Sequence, residues 1–336
     1  MSALEPIFES TTGTEIPLGA TSTEAYPYLQ GLRALPTLPS VLFHFLGLIA
    51  DPAVSEQQLA EFIWKDPSLL ARVISTMNSS SPDRSFPANY LPQAIATLNR
   101  DRIRHLAYTT PLLCSLEPWK PPFYSVLFWE RSLLCAHACE ALARQLRLPA
   151  PEQYYVAGLL HDIGYLAFLQ KKPETLATVL ERWAVQPTHL LEIEEQVMGI
   201  DHCQLGLAVG RKLNLDSWML PAIAHHHTPS RDSDWFTRIT SIGSAFCNYK
   251  GADFFPARTL ARNIWKQEMD AILQGLLPPS TKGNSAQYLA AMESSVPPVR
   301  RWIAELLREP QGNDTKSLAP KVYPSPARVA VAVACG

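Results

Sequence analysis

Glycine is scarce in this chain, at 15 of 336 residues, and no G-x-G-x-x-G or G-x-x-x-x-G-K-[ST] run occurs. Neither a dinucleotide-binding turn nor a P-loop is therefore written into it. Long alternations of Val, Ile and Thr are missing too, which removes the strand signals of an α/β sheet. Charge of one sign is not in excess: the formal net charge is −2, which argues against a protein held to nucleic acid or anionic lipid by charge. No apolar run is long enough to cross a bilayer, since the stretch Val41–Ala50 is short and broken by His44. The N-terminus lacks a basic start followed by an apolar stretch, so no secretory signal is read and a cytoplasmic location is expected. The six cysteines form no C-x-x-C pair and read as free, mostly packed thiols of a reducing compartment. No Ser sits in a G-x-S-x-G elbow, which leaves a serine hydrolase without support.

What is present points to an all-α protein. Hydrophobic residues make up 47% of the chain, and many of its 29 prolines stand where helices start or stop. Residues 1–30 carry Thr, Ser, Gly and Pro without helical period and read as a flexible leader; 311–336 read as a mobile tail. Pro36 and Pro39 precede an apolar helix ending at Asp51-Pro52. Ser55 and Gln58 form a capping box, and Asp66-Pro67 opens the next helix as N-cap and first residue. Two helical stretches then meet at Asn99, with Arg100, Arg102 and Arg104 on the second. That spacing raises DNA contact, but helical hairpins are common and the chain is not basic, so the arginines read as a solvated face. Ser125–Leu146 is a long helix carrying Cys135 and Cys139 one turn apart, read as core, and a further helix is expected from Glu152 to Gln170. Helices continue to about residue 310.

The sharpest chemical signal is His161-Asp162 inside the apolar run AGLLHDIGYLAF. Burying a carboxylate beside an imidazole among leucines costs several kcal/mol unless a cation or hydrogen-bond partners compensate. His202 and the tract His225-His226-His227 add candidate partners. Successive helical residues point about 100° apart, so at most one or two of the tract face inward.

These residues stand in an order that resembles the HDOD domain, a bacterial offshoot of the HD metal-dependent phosphohydrolase superfamily. The matching pieces are Leu35–Ser80, AIATLNRDRIRHLA, VAGLLHDIGYLAF, GIDHCQLG and LPAIAHHHTP, covering roughly residues 30 to 230. The resemblance implies one domain over 31–310, with an N-terminal helical part (31–120) packed on an HD-like part (121–310). It also implies a regulatory role in bacterial signalling through a protein partner, usually without catalysis.

A working HD site resembles H…HD…D. Here the central pair is His161-Asp162, while the first His aligns with Arg131 and the last Asp with Ser244. A fixed cation repels a divalent metal, and a serine hydroxyl is a poor stand-in for a carboxylate. His161, Asp162, His202, His226 and His227 are then expected to be a vestigial metal set, tied into a hydrogen-bonded network by Arg131. No cofactor is expected on that reading. Two readings compete with it, a bound but non-catalytic metal and a phosphohydrolase acting on a nucleotide or cyclic dinucleotide; three histidines and one aspartate are acceptable donors for Mn, Fe or Zn in either.

Overall fold

The computed structural model describes residues 23–80, 91–113, 125–185, 190–252, 262–281 and 283–306. The leader before residue 23, the segment 81–90, His189, Cys114, Cys335 and the tail lie outside them. Among the described residues the chain forms sixteen α-helices and no sheet; one isolated bridge joins Thr37 and Leu112.

The first helices are set by their starts. Helix α2 (Pro39–Ala50) begins at a proline, and α3 (Glu56–Ile63) begins at the Ser55–Gln58 capping box, both halves of which form. Helix α4 (Pro67–Ser80) is capped by Asp66, whose Oδ1 accepts from the Leu69 N–H at 2.6 Å. Helix α5 (Leu91–Tyr108) bends at Asn99, which takes φ 56° and whose Oδ1 accepts from the Arg102 N–H at 3.0 Å, restarting the helix. Helices α2, α3 and α4 all pack on α5.

The second group is built around α6 (Ser125–Gln145), which packs against α7 (Pro151–Leu160) and α13 (Trp235–Tyr249). Helix α8 (Ile163–Lys171) packs on α11 (His202–Lys212), with α9 (Pro173–Val185) and α10 (Leu190–Met198) beside them. The short α12 (Leu220–His225) lies against α11 and α13, and α14 (Arg262–Leu276), α15 (Ser285–Glu293) and α16 (Val296–Leu306) finish the body. One hydrophobic cluster runs through both groups, from Ala25 to Ile303.

The structure departs from the sequence reading at three places. Residues expected in a leader belong to the core: α1 (Tyr26–Leu29) buries Tyr28, whose ring packs edge-on to Phe168 and whose hydroxyl donates to the Met198 carbonyl at 2.7 Å. One helical turn is too short to show a period. The single helix expected from Glu152 to Gln170 is two, broken at His161-Asp162. Arg100 is not on a solvated face; its guanidinium donates to the Ile49, Asp51 and Val54 carbonyls and closes the C-terminal end of α2. Arg102 is exposed and Arg104 pairs with Asp101 at 2.7 Å, so the three arginines share no common face.

Asp66 ties the two helix groups together. Its Oδ2 accepts from the Thr37 hydroxyl at 2.5 Å and from the Trp129 Nε1–H of α6 at 2.9 Å, all in a fully buried position. Asp66→Ala strips a helix cap and orphans two buried donors, and is expected to lower unfolding free energy by about 3 kcal/mol. Urea denaturation at unchanged m-value measures it; a loss below about 1 kcal/mol would mean that these donors find other partners.

Candidate functional site

The break between α7 and α8 creates the site. Asp162 sits at φ −99°, ψ 19°, between the helical and extended regions, and this turn projects two adjacent polar side chains into one buried space. Gly164 lets α8 lie directly on α11: a β-carbon there would overlap the His202 carbonyl group and stand 3.0 Å from the Gly206 nitrogen. Asp201 caps α11 by accepting from the Gln204 N–H at 2.7 Å, which fixes His202 at the first helical position. His226 follows the last residue of α12.

Each buried histidine has one ring nitrogen committed. His161 Nδ1 donates to the Gly158 carbonyl at 2.8 Å, and His226 Nδ1 to the Ala222 and Ile223 carbonyls at 3.2 and 3.1 Å. His202 Nδ1 lies 2.7 Å from the Glu194 carboxylate, which also accepts the His202 backbone N–H at 2.8 Å and the Tyr165 hydroxyl at 2.6 Å. All three Nε2 atoms therefore turn toward Asp162. His161 Nε2 is 3.0 Å from Oδ2, while His202 Nε2 and His226 Nε2 are 3.4 and 3.3 Å from Oδ1.

Arg131, on α6, reaches the same carboxylate from the other side. Its Nε lies 3.2 Å from Asp162 Oδ2, Nη2 donates to Ser244 Oγ at 2.8 Å, and Nη1 donates to Asn248 Oδ1 at 2.6 Å and the Ala252 carbonyl at 3.2 Å. The sequence-derived residues are thus brought together with one exception of depth: His161, Asp162, His202, His226, Arg131 and Ser244 are buried, while His227 is exposed at the rim. His225 is exposed as well, so His226 is the one buried histidine of the tract. Glu194, Cys203, Tyr165 and Asn248 were not singled out from the sequence.

Burial pushes the Asp162 carboxyl up, but His161 and the other imidazoles outweigh it and hold it well below the usual carboxylate range. Burial lowers His161 below its ordinary value against the pull of Asp162, with His226 and Arg131 adding to the fall. For His202 and His226 burial is overcome by the neighbouring Cys203 and the carboxylates; His202 rises well above its ordinary value and His226 to about 9. The pocket calls for positive charge beyond that of Arg131.

Two donor sets meet these needs. His161, Asp162 and His226 offer ligand atoms within 4.8 Å of one another, as do His202, Cys203, His226 and His227. His161 Nε2 and Asp162 Oδ1 are buried without an aligned hydrogen-bond partner, as metal-binding atoms would be. The residues fit one divalent ion. They do not fit a pair bridged by Asp162, because its Oδ2 already carries the Arg131 guanidinium. A cleft of about 590 Å³, lined among others by His226, His227, Ser241, Ser244 and Arg231, gives access from solvent.

Among the cysteines, Cys135 and Cys139 are buried with sulfurs 3.9 Å apart, and burial pushes the Cys135 thiol well up, as expected for core thiols. His44 stacks on Phe62 and His137 packs edge-on to Tyr155, both away from the cluster.

Comparison with known proteins places this geometry. An HDOD domain protein of unknown function from Geobacter sulfurreducens superposes with a TM-score of 0.50 at 22% identity, covering 84% of this chain and 97% of that one. The MmoQ response regulator of Methylococcus capsulatus (strain Bath) gives 0.55 at 21% identity, covering 76% and 98%. An uncharacterised protein of Treponema pallidum (strain Nichols) is 23% identical over 218 residues; the match spans 64% of this chain but only 41% of that protein. At these identities the likeness establishes the fold and leaves the chemistry to the residues above. The sequence itself matches the HDOD domain over residues 35–229, a stretch that includes every helix from α2 to α12 and the whole histidine cluster: the chain belongs to the HDOD domain family.

Proposed function

We propose that this protein is a non-catalytic regulatory module of bacterial signal transduction, acting in the cytoplasm by binding a protein partner. The observation that carries this reading is the Arg131 guanidinium, held between Asp162 and Ser244 at the position that the HD resemblance gives to the first metal-binding histidine. A phosphohydrolase of this type needs its central carboxylate free to ligate, so that metal can polarise a phosphoryl oxygen and activate water. Here one oxygen of that carboxylate is paired with a buried guanidinium that is itself tied to Ser244, Asn248 and Ala252. Membership of the HDOD family and the fold shared with a response regulator support the signalling context. Among the described residues no helix is long and apolar enough to cross a membrane.

The competing hydrolase reading draws on the cleft over His226 and His227. The two part in a simple assay. Protein purified anaerobically and supplied with Mn²⁺ or Fe²⁺ is expected to leave cyclic dinucleotides and bis-(p-nitrophenyl) phosphate intact at the buffer rate. Turnover that disappears in Asp162→Ala would overturn the adaptor reading.

A further inference from the structure

We infer that the chain binds one thiolate-preferring divalent ion, of the Zn²⁺ type, through His202, Cys203, His226 and His227. This site is distinct from one centred on the His161-Asp162 pair, and it stands whether or not the protein acts as an adaptor.

The donor atoms of the four residues lie within 4.8 Å of one another. Cys203 Sγ is 3.5 Å from His202 Nε2, and 3.9 and 4.0 Å from His226 Nδ1 and Nε2. In a tetrahedral site with Zn–N near 2.05 Å and Zn–S near 2.3 Å, neighbouring N and S ligands stand about 3.5 Å apart. The Cys203–His202 pair already stands at the edge length such an ion imposes, and a small turn of the His226 ring would bring its Nε2 to the same distance. Both imidazoles also have the outer partner that a ligand needs. A metal-bound histidine almost always donates its other N–H to a carboxylate or backbone carbonyl, and His202 does so to Glu194, His226 to Ala222 and Ile223. With those protons held on Nδ1, Nε2 is the nitrogen left to bind the ion, giving up to solvent any proton it shares with Asp162.

Charge points the same way. Asp162, Glu194 and a Cys203 thiolate supply three negative charges in a buried space, and Arg131 supplies one positive charge. A divalent ion would take over this balance from the two protons that the His202 and His226 imidazoles give up on binding it. Asp162 Oδ1, 3.4 and 3.3 Å from the two imidazoles, adds to the attraction, while Arg131 keeps Oδ2 occupied. A thiolate among imidazoles favours Zn²⁺ or Co²⁺ over the harder Mn²⁺ or Mg²⁺. Four protein donors fill a tetrahedral shell and leave no open position for water, the pattern of a structural rather than a hydrolytic ion. Entry is through the cleft, at whose rim His227 lies exposed.

The test is metal content and the Co²⁺ spectrum of the full chain. After loading with Zn²⁺ and exhaustive dialysis, about one equivalent is expected by elemental analysis. The Co²⁺ form is expected to show a thiolate-to-metal charge-transfer band in the near ultraviolet together with the intense visible bands of tetrahedral cobalt. Cys203→Ser should abolish the charge-transfer band. His227→Ala, at an exposed position where folding is safe, should weaken Co²⁺ binding by at least roughly the 10–100-fold of a second-shell loss. Asp162→Asn should keep the thiolate band, with the ion held more weakly but still bound. No retained metal in the unaltered protein, a Co²⁺ spectrum without the thiolate band, or metal lost in Asp162→Asn but kept in Cys203→Ser would each overturn the assignment. The hydrolysis assay reads a different property, so either proposal can fail alone.

Discussion

Gly164→Ala is expected to abolish stable folding, with a loss of about 4 kcal/mol or more. The added carbon would collide with the backbone of His202, not with a movable side-chain tip, and would stand 2.9 Å from the His202 carbonyl carbon. Relief requires α8 and α11 to separate, which would also pull Asp162 away from His202. Thermal denaturation and yield of soluble protein are the readouts. Gly47→Ala in α2 is the control: nothing lies within 4 Å of that site, so the change should stabilise by about 0.5–1 kcal/mol. Equal melting temperatures for the Gly164 variant and the unaltered protein would show that the two helices are not locked as described.

Arg131→Met should cost about 3–5 kcal/mol, the range for removing one partner of a buried ion pair. The residue is only 5% exposed, and its loss takes the guanidinium from Asp162 and leaves Asn248 Oδ1 and Ser244 Oγ without the donor that reaches them. A double-mutant cycle gives the expected signature: adding Asp162→Asn to Arg131→Met should recover about 1–3 kcal/mol, because the stranded charge is gone. Urea titrations of the four proteins measure the coupling. Strict additivity would mean that the guanidinium and carboxylate are not energetically linked.

Much of the fold was legible because starts and stops are written in the chain. Pro39, the Ser55–Gln58 box, Asp66-Pro67 and the bend at Asn99 each appear in the structure where local chemistry puts them. The break at His161-Asp162 was not legible: apolar residues flank it on both sides, and only tertiary contact of α8 with α11 makes two short helices better than one long one. Tyr28 was hidden for a similar reason, since one turn of helix has no period and its burial depends on Phe168 and Met198 far along the chain. The site was half legible. The histidines and Asp162 stand out as polar groups in apolar runs, and Arg131 and Ser244 emerge only through the family resemblance. Glu194 sits among Glu192 and Glu195, and nothing local tells which of the three turns inward to His202. Cys203 reads as one more packed thiol until its sulfur is seen facing two imidazoles.

His226 is common to both sets of donor atoms, and one ring nitrogen serves one ion at a time. An ion held with Cys203 would therefore exclude one held with the His161-Asp162 pair, so the pocket has room for a single ion in one of two positions.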